Sequence, residues 1–379
     1  MPELRALDTA AQWPRESDPV AAGCDPARLA DAIAFHRAHE TDWPVSMMTP
    51  GGQYIGTAAI GDRPEFASVI GPVKPRGGPN GIVLRHGRLA AEWGDTTRTD
   101  MTFSVAKSYL GLLAGLAHAD GLIPDLDGAV RHDVPGPWFA SPHNAAITWR
   151  HLLQQTSEWQ GTLWGKPDTA DHNRSVGGAA ERQTAEKGQE RRLAEPGSFY
   201  EYNDVRVNLL AACLTHRFGR ALPDVLRERV MDPISASESW EWHGYEGSIL
   251  EPEGRALRCV SGGGHWGGGQ FIGSRDHARL GQLVLQNGVW AGRRVLPENL
   301  MHPLLEPSPC NDQYGMLWWL NSGNTMLFPS APADSVFALG AGRSLIWIAP
   351  SLDIVAVLRW IERDATDGLL GAVAASAIG

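Results

Sequence analysis

The chain has 379 residues, which is enough for one large domain or two. An apolar content of 43% and a charged content of 20% are those of an ordinary globular protein and exclude an intrinsically disordered one. The formal net charge of −10 argues against a nucleic-acid partner, because binding to a phosphate backbone needs clustered cations.

The cysteines and the N-terminus bound the protein class further. The cysteines are far apart and form no CxxC pair, so neither a metal site nor a disulfide framework is expected from Cys24, Cys213, Cys259 and Cys310. No window of about 18 uninterrupted apolar residues is present, so no membrane partner is expected. The first 16 residues lack the continuous apolar segment of a secretory signal, and we therefore expect a cytoplasmic protein.

The first predicted elements are a helix, a hairpin and a second helix. Residues 24–40 predict a helix, because Asp25 suits the capping position and Pro26 the first turn. Residues 81–93 read as a β-hairpin. From 104 to 119 the pattern is helical and mostly apolar, which is typical of a helix buried on all sides.

The middle of the chain alternates between loops and helices. Residues 121–142 are rich in proline, glycine and aspartate and indicate a loop. The polar stretch 161–192 predicts either a long active-site flap or a mobile surface segment. The glycine-rich run 261–269 predicts a loop against a ligand site. Further helices are predicted at 148–155, 203–218, 222–230 and 275–286.

After residue 303 the pattern changes to strands. These are predicted at 314–320, 336–338, 344–348 and 354–360, followed by a closing helix at 366–377. Strands at both chain ends predict an α/β (α+β) fold in which one antiparallel sheet is built from both termini. We expect a sheet domain of residues 1–103 with 301–379 and a mainly helical domain of residues 104–300. The active site would lie in the crevice between them.

One short segment suggests nucleophilic chemistry. Ser104 precedes Lys107 by three residues, and positions i and i+3 share a helix face. A serine hydroxyl needs a base to accept its proton, and a lysine beside apolar residues at the start of a buried helix can serve. The bland alternative is that Ser104 only caps the helix.

Five segments in order resemble the serine β-lactamase-like superfamily. The branch concerned holds class C β-lactamases, D-amino-acid peptidases, family VIII esterases and the nylon-oligomer hydrolase. The segments are 103–107, 147–157, 195–204, 268–276 and 338–341. The second is similar to the family's "iTirhLLtHtSG" run, although Gln155 replaces its histidine and Glu158 its glycine.

The resemblance implies the β-lactamase/transpeptidase-like fold and a set of catalytic roles. Ser104 would be the nucleophile, Lys107 its base, and Tyr202 the tyrosine that shares the proton and returns it to the leaving group. The oxyanion hole would be the backbone N–H groups of Ser104 and Ala341. The alternative for Tyr202 is a core aromatic with a hydrogen-bonded hydroxyl.

Two departures from the family pattern bear on the substrate. Ala338 stands where relatives carry the lysine that helps to hold a substrate carboxylate, and Arg343 is the nearby cation that can take its place. Asp204 replaces the usual asparagine; an ionised carboxylate can only accept hydrogen bonds and would repel an anionic substrate. Asp204 can instead stabilise the N-terminus of the helix at 203–218. Both departures favour an uncharged substrate over a β-lactam or peptidoglycan.

Other candidate substrate-binding residues lie in segments expected to border the crevice. They are Trp159, Trp164, His265, Trp266, Trp318, Trp319 and Gly340. The alternatives are core tryptophans and a structural histidine. No cofactor or metal is expected, and the absence of Walker A, HExxH and GxSxG motifs removes the commonest nucleotide, zinc-protease and α/β-hydrolase interpretations.

These features favour a carboxylesterase that acts on small or medium uncharged esters through an acyl-enzyme. Its partner would be a small-molecule ester or amide. A linear-amide hydrolase like the 6-aminohexanoate-dimer hydrolase, or a β-lactamase or D-amino-acid peptidase, is the enzymatic alternative. A penicillin-recognising-type binding module is the non-enzymatic one. The sequence makes no prediction of the oligomeric state.

Overall fold

The protein is described by a computed structural model that covers residues 17–176 and 185–378. Its strands, in chain order, are β1 (Asn80–Arg85), β2 (Arg88–Trp93), β3 (Asp100–Met101), β4 (Thr162–Leu163), β5 (Lys166–Pro167), β6 (Glu241–His243), β7 (Ile249–Leu250), β8 (Leu257–Arg258), β9 (Gly269–Ile272), β10 (Val289–Trp290), β11 (Arg293–Arg294), β12 (Trp319–Leu320), β13 (Val336–Gly340), β14 (Ser344–Ala349) and β15 (Ile354–Arg359). The helices are α1 (Pro26–Ala38), α2 (Ile55–Ala58), α3 (Val105–Ala119), α4 (Val130–Asp133), α5 (Trp149–Leu153), α6 (Asp204–Phe218), α7 (Leu222–Leu226), α8 (Ser274–Leu285), α9 (Met301–Leu304) and α10 (Thr366–Ala375).

The largest sheet joins the two ends of the chain, as predicted. Its spatial order is β12-β13-β14-β15-β1-β2, and every pairing is antiparallel. The N-terminal hairpin joins the C-terminal strands where β1 pairs with β15, with Val83 opposite Ala356. Every residue of β1, β14 and β15 is buried, so both faces of the sheet are covered.

Helix ends follow the capping residues seen in the sequence. The Asp25 side chain accepts hydrogen bonds from two backbone N–H groups at the start of α1. The Asn203 side chain does the same at the start of α6. Because these caps satisfy N–H groups that have no partner inside the helix, the predicted starts at 24–40 and 203–218 agree closely with the observed ones.

Three predicted elements differ from the observed ones. The strand predicted at 314–320 is only Trp319–Leu320, because Leu317 has a φ of 63° and interrupts extended geometry. The helix predicted at 222–230 is α-helical only to Leu226 and continues as a π-helical turn. The polar segment 161–192 contains the short hairpin β4–β5, and its residues 177–184 lie outside the described part of the chain.

Helix α8 covers the large sheet. It packs against β1, β14 and β15, and Gly281 allows the close approach, since a Cβ there would lie 2.5 Å from Val355. This helix falls inside the range 104–300, whose assignment to a separate helical domain remains a prediction. Within the described residues, every helix is too short or too polar to cross a bilayer.

Candidate active site

Ser104 and Tyr202 face one cavity of about 830 Å³. The same cavity is lined by Gly340, Ala341 and Arg343, at the end of β13. Five of the residues predicted to act on the substrate therefore share one cavity wall, although up to 237 positions separate them in the sequence.

Ser104 sits at the N-terminal end of α3, where backbone N–H groups and the helix dipole favour negative charge. The chain enters this position through Phe103, which has a φ of 49° and is buried. A left-handed conformation is unfavourable for a phenylalanine, and such conformations persist only where packing enforces them. Here the ring of Trp43 packs edge-on against Phe103, 5.5 Å between centroids.

The end of β13 lies directly against the chain that leads into Ser104. A Cβ on Gly340 would lie only 2.2 Å from the carbonyl oxygen of Thr102. The absence of a side chain at this position therefore lets Ala341 approach Ser104. This is the arrangement required for the two predicted oxyanion-hole N–H groups, whose role remains a prediction.

Lys107 connects Ser104 to a buried carboxylate. Its Nζ donates a hydrogen bond to Ser104 Oγ over 2.8 Å and forms an ion pair with Asp204 Oδ1 at 2.5 Å. The Lys107 side chain is 1% exposed. Gly263 packs over both groups, since a Cβ there would lie 2.7 Å from Nζ and 3.3 Å from Oγ. The sequence argument considered burial alone, and the structure adds an anionic partner to the lysine.

Tyr202 is surrounded by cations and aromatic rings. Lys107 Nζ lies 4.8 Å, and the Arg174 guanidinium carbon 4.9 Å, from its ring centroid. The ring stacks on Trp319 with 5.7 Å between centroids. The two cations stabilise negative charge that develops on this side chain during a reaction.

Asp204 is an internal anion and does not line the cavity. Besides Lys107 it binds Arg174 at 2.8 Å and His265 at 3.1 Å, and its side chain is 3% exposed. Burial opposes its ionisation, but these three cations outweigh burial and hold the pKa of the carboxyl well below its usual range. The interpretation of Asp204 as a substrate contact is therefore corrected: Arg174 and Lys107 occupy its oxygens.

A second group of buried ions adjoins Asp204. Lys187 forms ion pairs with Asp62 and with Asp171, the latter at 3.0 Å. Asp62, Asp171 and His265 bring ligand atoms within 4.8 Å of one another, a spacing that suits a cation. The cation found there is the ammonium group of Lys187.

Most of the predicted aromatic lining lies elsewhere. Of these tryptophans only Trp319 reaches the cavity wall. Trp159 is buried with its indole N–H donated to a backbone oxygen, Trp164 packs edge-on against Tyr245, and Trp266 donates to Asp62. Trp318 and His265 are also buried away from the wall. These side chains are core residues because each finds its polar or aromatic partner inside the protein.

Arg343 is on the cavity wall, as predicted, and a second arginine joins it. Among the described residues, neither Arg343 nor Arg363 forms an ion pair. Burial, and then the charge of Arg363, lower the pKa of Arg343 to about 10. The guanidinium of Arg343 is thus available to a ligand.

Sequence analysis did not single out Asp62, Asp171, Arg174 or Lys187. Arg174 and Lys187 belong to the polar segment 161–192, so charged residues in a predicted flap were the available signal. For Asp62 there was none, because only the folded chain brings this residue close to position 265.

Comparison with solved structures supports the same fold. A novel penicillin-binding protein homologue from Caulobacter crescentus is similar with a TM-score of 0.59 and 15% identity, covering 93% of this chain and 99% of that one. A "putative 6-aminohexanoate-dimer hydrolase" from Bacillus anthracis is similar with a TM-score of 0.56 and 17% identity, covering 78% of each chain. EstCE1, a hydrolase with promiscuous acyltransferase activity, has a TM-score of 0.54 and 16% identity over 79% of this chain and 93% of its own.

Sequence comparison identifies the family. No curated protein is significantly similar to this chain in sequence. The family model described as Beta-lactamase matches residues 82–360, which is more than half of the chain and includes the cavity's Ser104, Tyr202 and Arg343. With the fold and the site in agreement, the chain belongs to the Beta-lactamase family.

Proposed function

We propose that this protein is a serine hydrolase that cleaves small or medium esters through an acyl-enzyme on Ser104. The observation that carries the proposal is the 2.8 Å hydrogen bond between Lys107 Nζ and Ser104 Oγ at the wall of a cavity. A nucleophile with an amine partner, Tyr202 beside it and two convergent backbone segments form a set suited to acyl transfer.

The proposed reaction has two halves. Ser104 Oγ attacks the ester carbonyl carbon while its proton passes to the Lys107–Tyr202 pair, and the oxygen becomes an anion facing the N–H groups of Ser104 and Ala341. Collapse of this intermediate breaks the carbon–oxygen bond, and Tyr202 returns the proton to the departing alcohol. Water then attacks the acyl-enzyme in the same way, which releases the acid and restores the Ser104 hydroxyl.

The cavity wall supports an ester with an apolar acyl group. Trp43, Trp319, Leu327, Phe328 and Leu339 contribute apolar surface to it. Contact between such surface and an acyl chain stabilises the complex without any charge on the substrate. This is the basis for placing esters ahead of β-lactams in the proposal.

The test is hydrolysis of p-nitrophenyl butyrate, its matched p-nitroanilide and a chromogenic cephalosporin by wild type and Ser104→Ala. We expect turnover of the ester that is at least 1000-fold lower in the variant, by analogy with loss of a serine nucleophile elsewhere. Mass spectrometry of the intact wild-type protein should show an added butyryl group. Full ester hydrolysis by Ser104→Ala would overturn the proposal.

The other substrates separate the alternatives. Anilide turnover that exceeds ester turnover would favour a linear-amide hydrolase, and strong cephalosporin turnover a β-lactamase. A stable acyl adduct on Ser104 without turnover of any substrate would favour a binding module.

A further inference from the structure

His265 lies between two carboxylates in the interior. Its Nδ1 is 3.1 Å from Asp204 Oδ2, and its Nε2 is 2.9 Å from Asp62 Oδ1. The His265 side chain is 0% exposed. Ionised carboxylates only accept hydrogen bonds, so a ring that bonds to one at each nitrogen must carry a proton on both. The geometry therefore requires an imidazolium.

The surroundings of the ring agree with a positive charge. Asp171 Oδ2 lies 3.6 Å from Nδ1, and the indole of Trp266 stacks on the imidazole with 3.9 Å between centroids. Burial alone would disfavour the charged ring, but Asp171, Asp204 and Asp62 outweigh it and raise the pKa of His265 to about 9.

The other charged groups at this position are paired with the same acids. Arg174 binds Asp204 and Asp171, while Lys187 binds Asp171 and Asp62. Each of the three carboxylates around His265 therefore has at least one further cation, and all of these groups are largely buried. A neutral His265 would leave one nitrogen facing a carboxylate without a proton between them, which is costly in a buried site.

A continuous chain of contacts leads from His265 to the nucleophile. Asp204 binds His265 through Oδ2 and Lys107 through Oδ1, and Lys107 Nζ donates to Ser104 Oγ. His265 itself is not on the cavity wall, so it acts on the reaction only through Asp204 and Lys107.

We propose that His265 is a positioning residue: a fixed imidazolium that orients Asp204 and, through it, holds the amine of Lys107 against Ser104. The proposal rests on the proposed function of Ser104. It also explains why a carboxylate is useful at position 204, since an asparagine amide could not accept from three cations with full charge.

The direct test is NMR of the uniformly ¹⁵N-labelled full chain, with the ring signals of His265 assigned by their loss in His265→Gln or His265→Asn. At pH 7.5 we expect both ring nitrogens to be protonated, with conversion to a neutral ring only near pH 9. A single protonated ring nitrogen at pH 7.5 would overturn the inference. This measurement needs no activity, so it stands even if Ser104→Ala disproves the esterase.

Kinetics separate positioning from a merely structural role. For His265→Gln we expect kcat for p-nitrophenyl butyrate to fall at least tenfold while KM changes less than threefold, because the ring touches no part of the cavity. The wild-type kcat should also fall as pH rises through about 9, and this step should be missing from the variant's profile.

His36→Gln is the matched control. His36 is equally buried, bonds a backbone oxygen and the Trp93 indole, and lies on α1 outside the cavity wall. Its substitution tests the cost of replacing a core histidine and should leave kcat within threefold. An unchanged kcat in His265→Gln, or equal losses in the two variants with the alkaline step retained in both, would contradict the positioning role.

Discussion

Glu158 shows how a single position can depart from a family pattern for a physical reason. Its φ is 50°, the left-handed region that glycine adopts without strain, and glycine is what the family pattern has there. In this chain the Glu158 carboxylate instead accepts hydrogen bonds from Arg191 and Arg206 in the interior. Gln155, the other departure, bonds the Tyr314 hydroxyl and the backbone N–H of Asn203, so it supports the segment that carries Tyr202.

Gly263 provides the sharpest residue-scale prediction. An alanine Cβ would lie 2.7 Å from Lys107 Nζ, and Asp204 restrains that amine from moving aside. For Gly263→Ala we expect kcat for p-nitrophenyl butyrate to fall at least tenfold while the thermal unfolding midpoint stays within about 2 °C. Gly78→Ala is the control, because nothing lies within 4 Å of its added Cβ. A fully active Gly263→Ala would mean that the Lys107 position is not important.

Arg343 predicts a charge preference in the acyl group. Because its guanidinium faces the cavity and forms no ion pair with another described residue, it can bind an anionic substituent. For Arg343→Met we expect kcat/KM for the p-nitrophenyl monoester of glutarate to fall at least tenfold more than kcat/KM for the butyrate. The exposed Arg293→Met should affect both esters equally. Equal losses for the two esters in Arg343→Met would remove Arg343 from the substrate site.

At the scale of elements, the site depends on the contact between the end of β13 and the entry to α3. Gly340 makes that contact possible, and the backbone oxygen of Thr102 that it faces cannot rotate away as a side chain can. Thr102 is held in turn by a 2.8 Å hydrogen bond to His277 on α8. Three elements therefore set the distance between Ser104 and Ala341.

Gly340→Ala should separate these elements. With 2.2 Å between the new Cβ and Thr102 O, either β13 or the turn before α3 must shift. We expect losses in both stability and activity: a lower unfolding midpoint in calorimetry and at least a 100-fold lower kcat/KM for the butyrate ester. Gly247→Ala, which has open space around its Cβ, is the control. Wild-type activity in Gly340→Ala would show that the approach of Ala341 to Ser104 is unnecessary.

Elements with a strong local signal were predictable from sequence. The buried helix α3, the hairpin β1–β2 and the capped helices α1 and α6 each have apolar periodicity or a capping residue within their own span. The predicted strand at 314–320 failed because an apolar run does not show that Leu317 adopts a left-handed conformation, which long-range packing imposes.

At the scale of the whole molecule, buried ion pairs join segments far apart in sequence. Glu158 accepts from Arg191, Arg206 and the backbone N–H of Ala194. Burial opposes its ionisation, yet the hydrogen bond from Arg191 and the charges of Arg206 and Arg191 lower the pKa of Glu158 to about 2, from an ordinary value of 4.5. Breaking such a pair leaves buried charges without partners.

Glu158→Gln should therefore destabilise the fold in a pH-dependent way. Because the folded pKa is depressed, the stabilisation is fully present above about pH 4.5 and is lost as pH falls towards 2. We expect the free energy of unfolding in urea to be about 3 kcal/mol lower in the variant at pH 7, with the difference narrowing below pH 4.5. Glu228→Gln, in an exposed pair with Arg220, should change it by less than about 1 kcal/mol. A deficit that is the same at pH 7 and pH 3.5 would contradict the ionic explanation.

The sequence by itself determined the fold class, the placement of Ser104 and Lys107 on one helix face, and the motif positions of Tyr202 and Ala341, because short spacings and local periodicity survive without a structure. Only the tertiary structure decided the role of the charged residues. Asp204 was interpreted as a substrate contact and is an internal anion, since Lys107, Arg174 and His265 converge on it from three segments. Ion pairing and burial depend on distances between remote parts of the chain, and no local pattern encodes them.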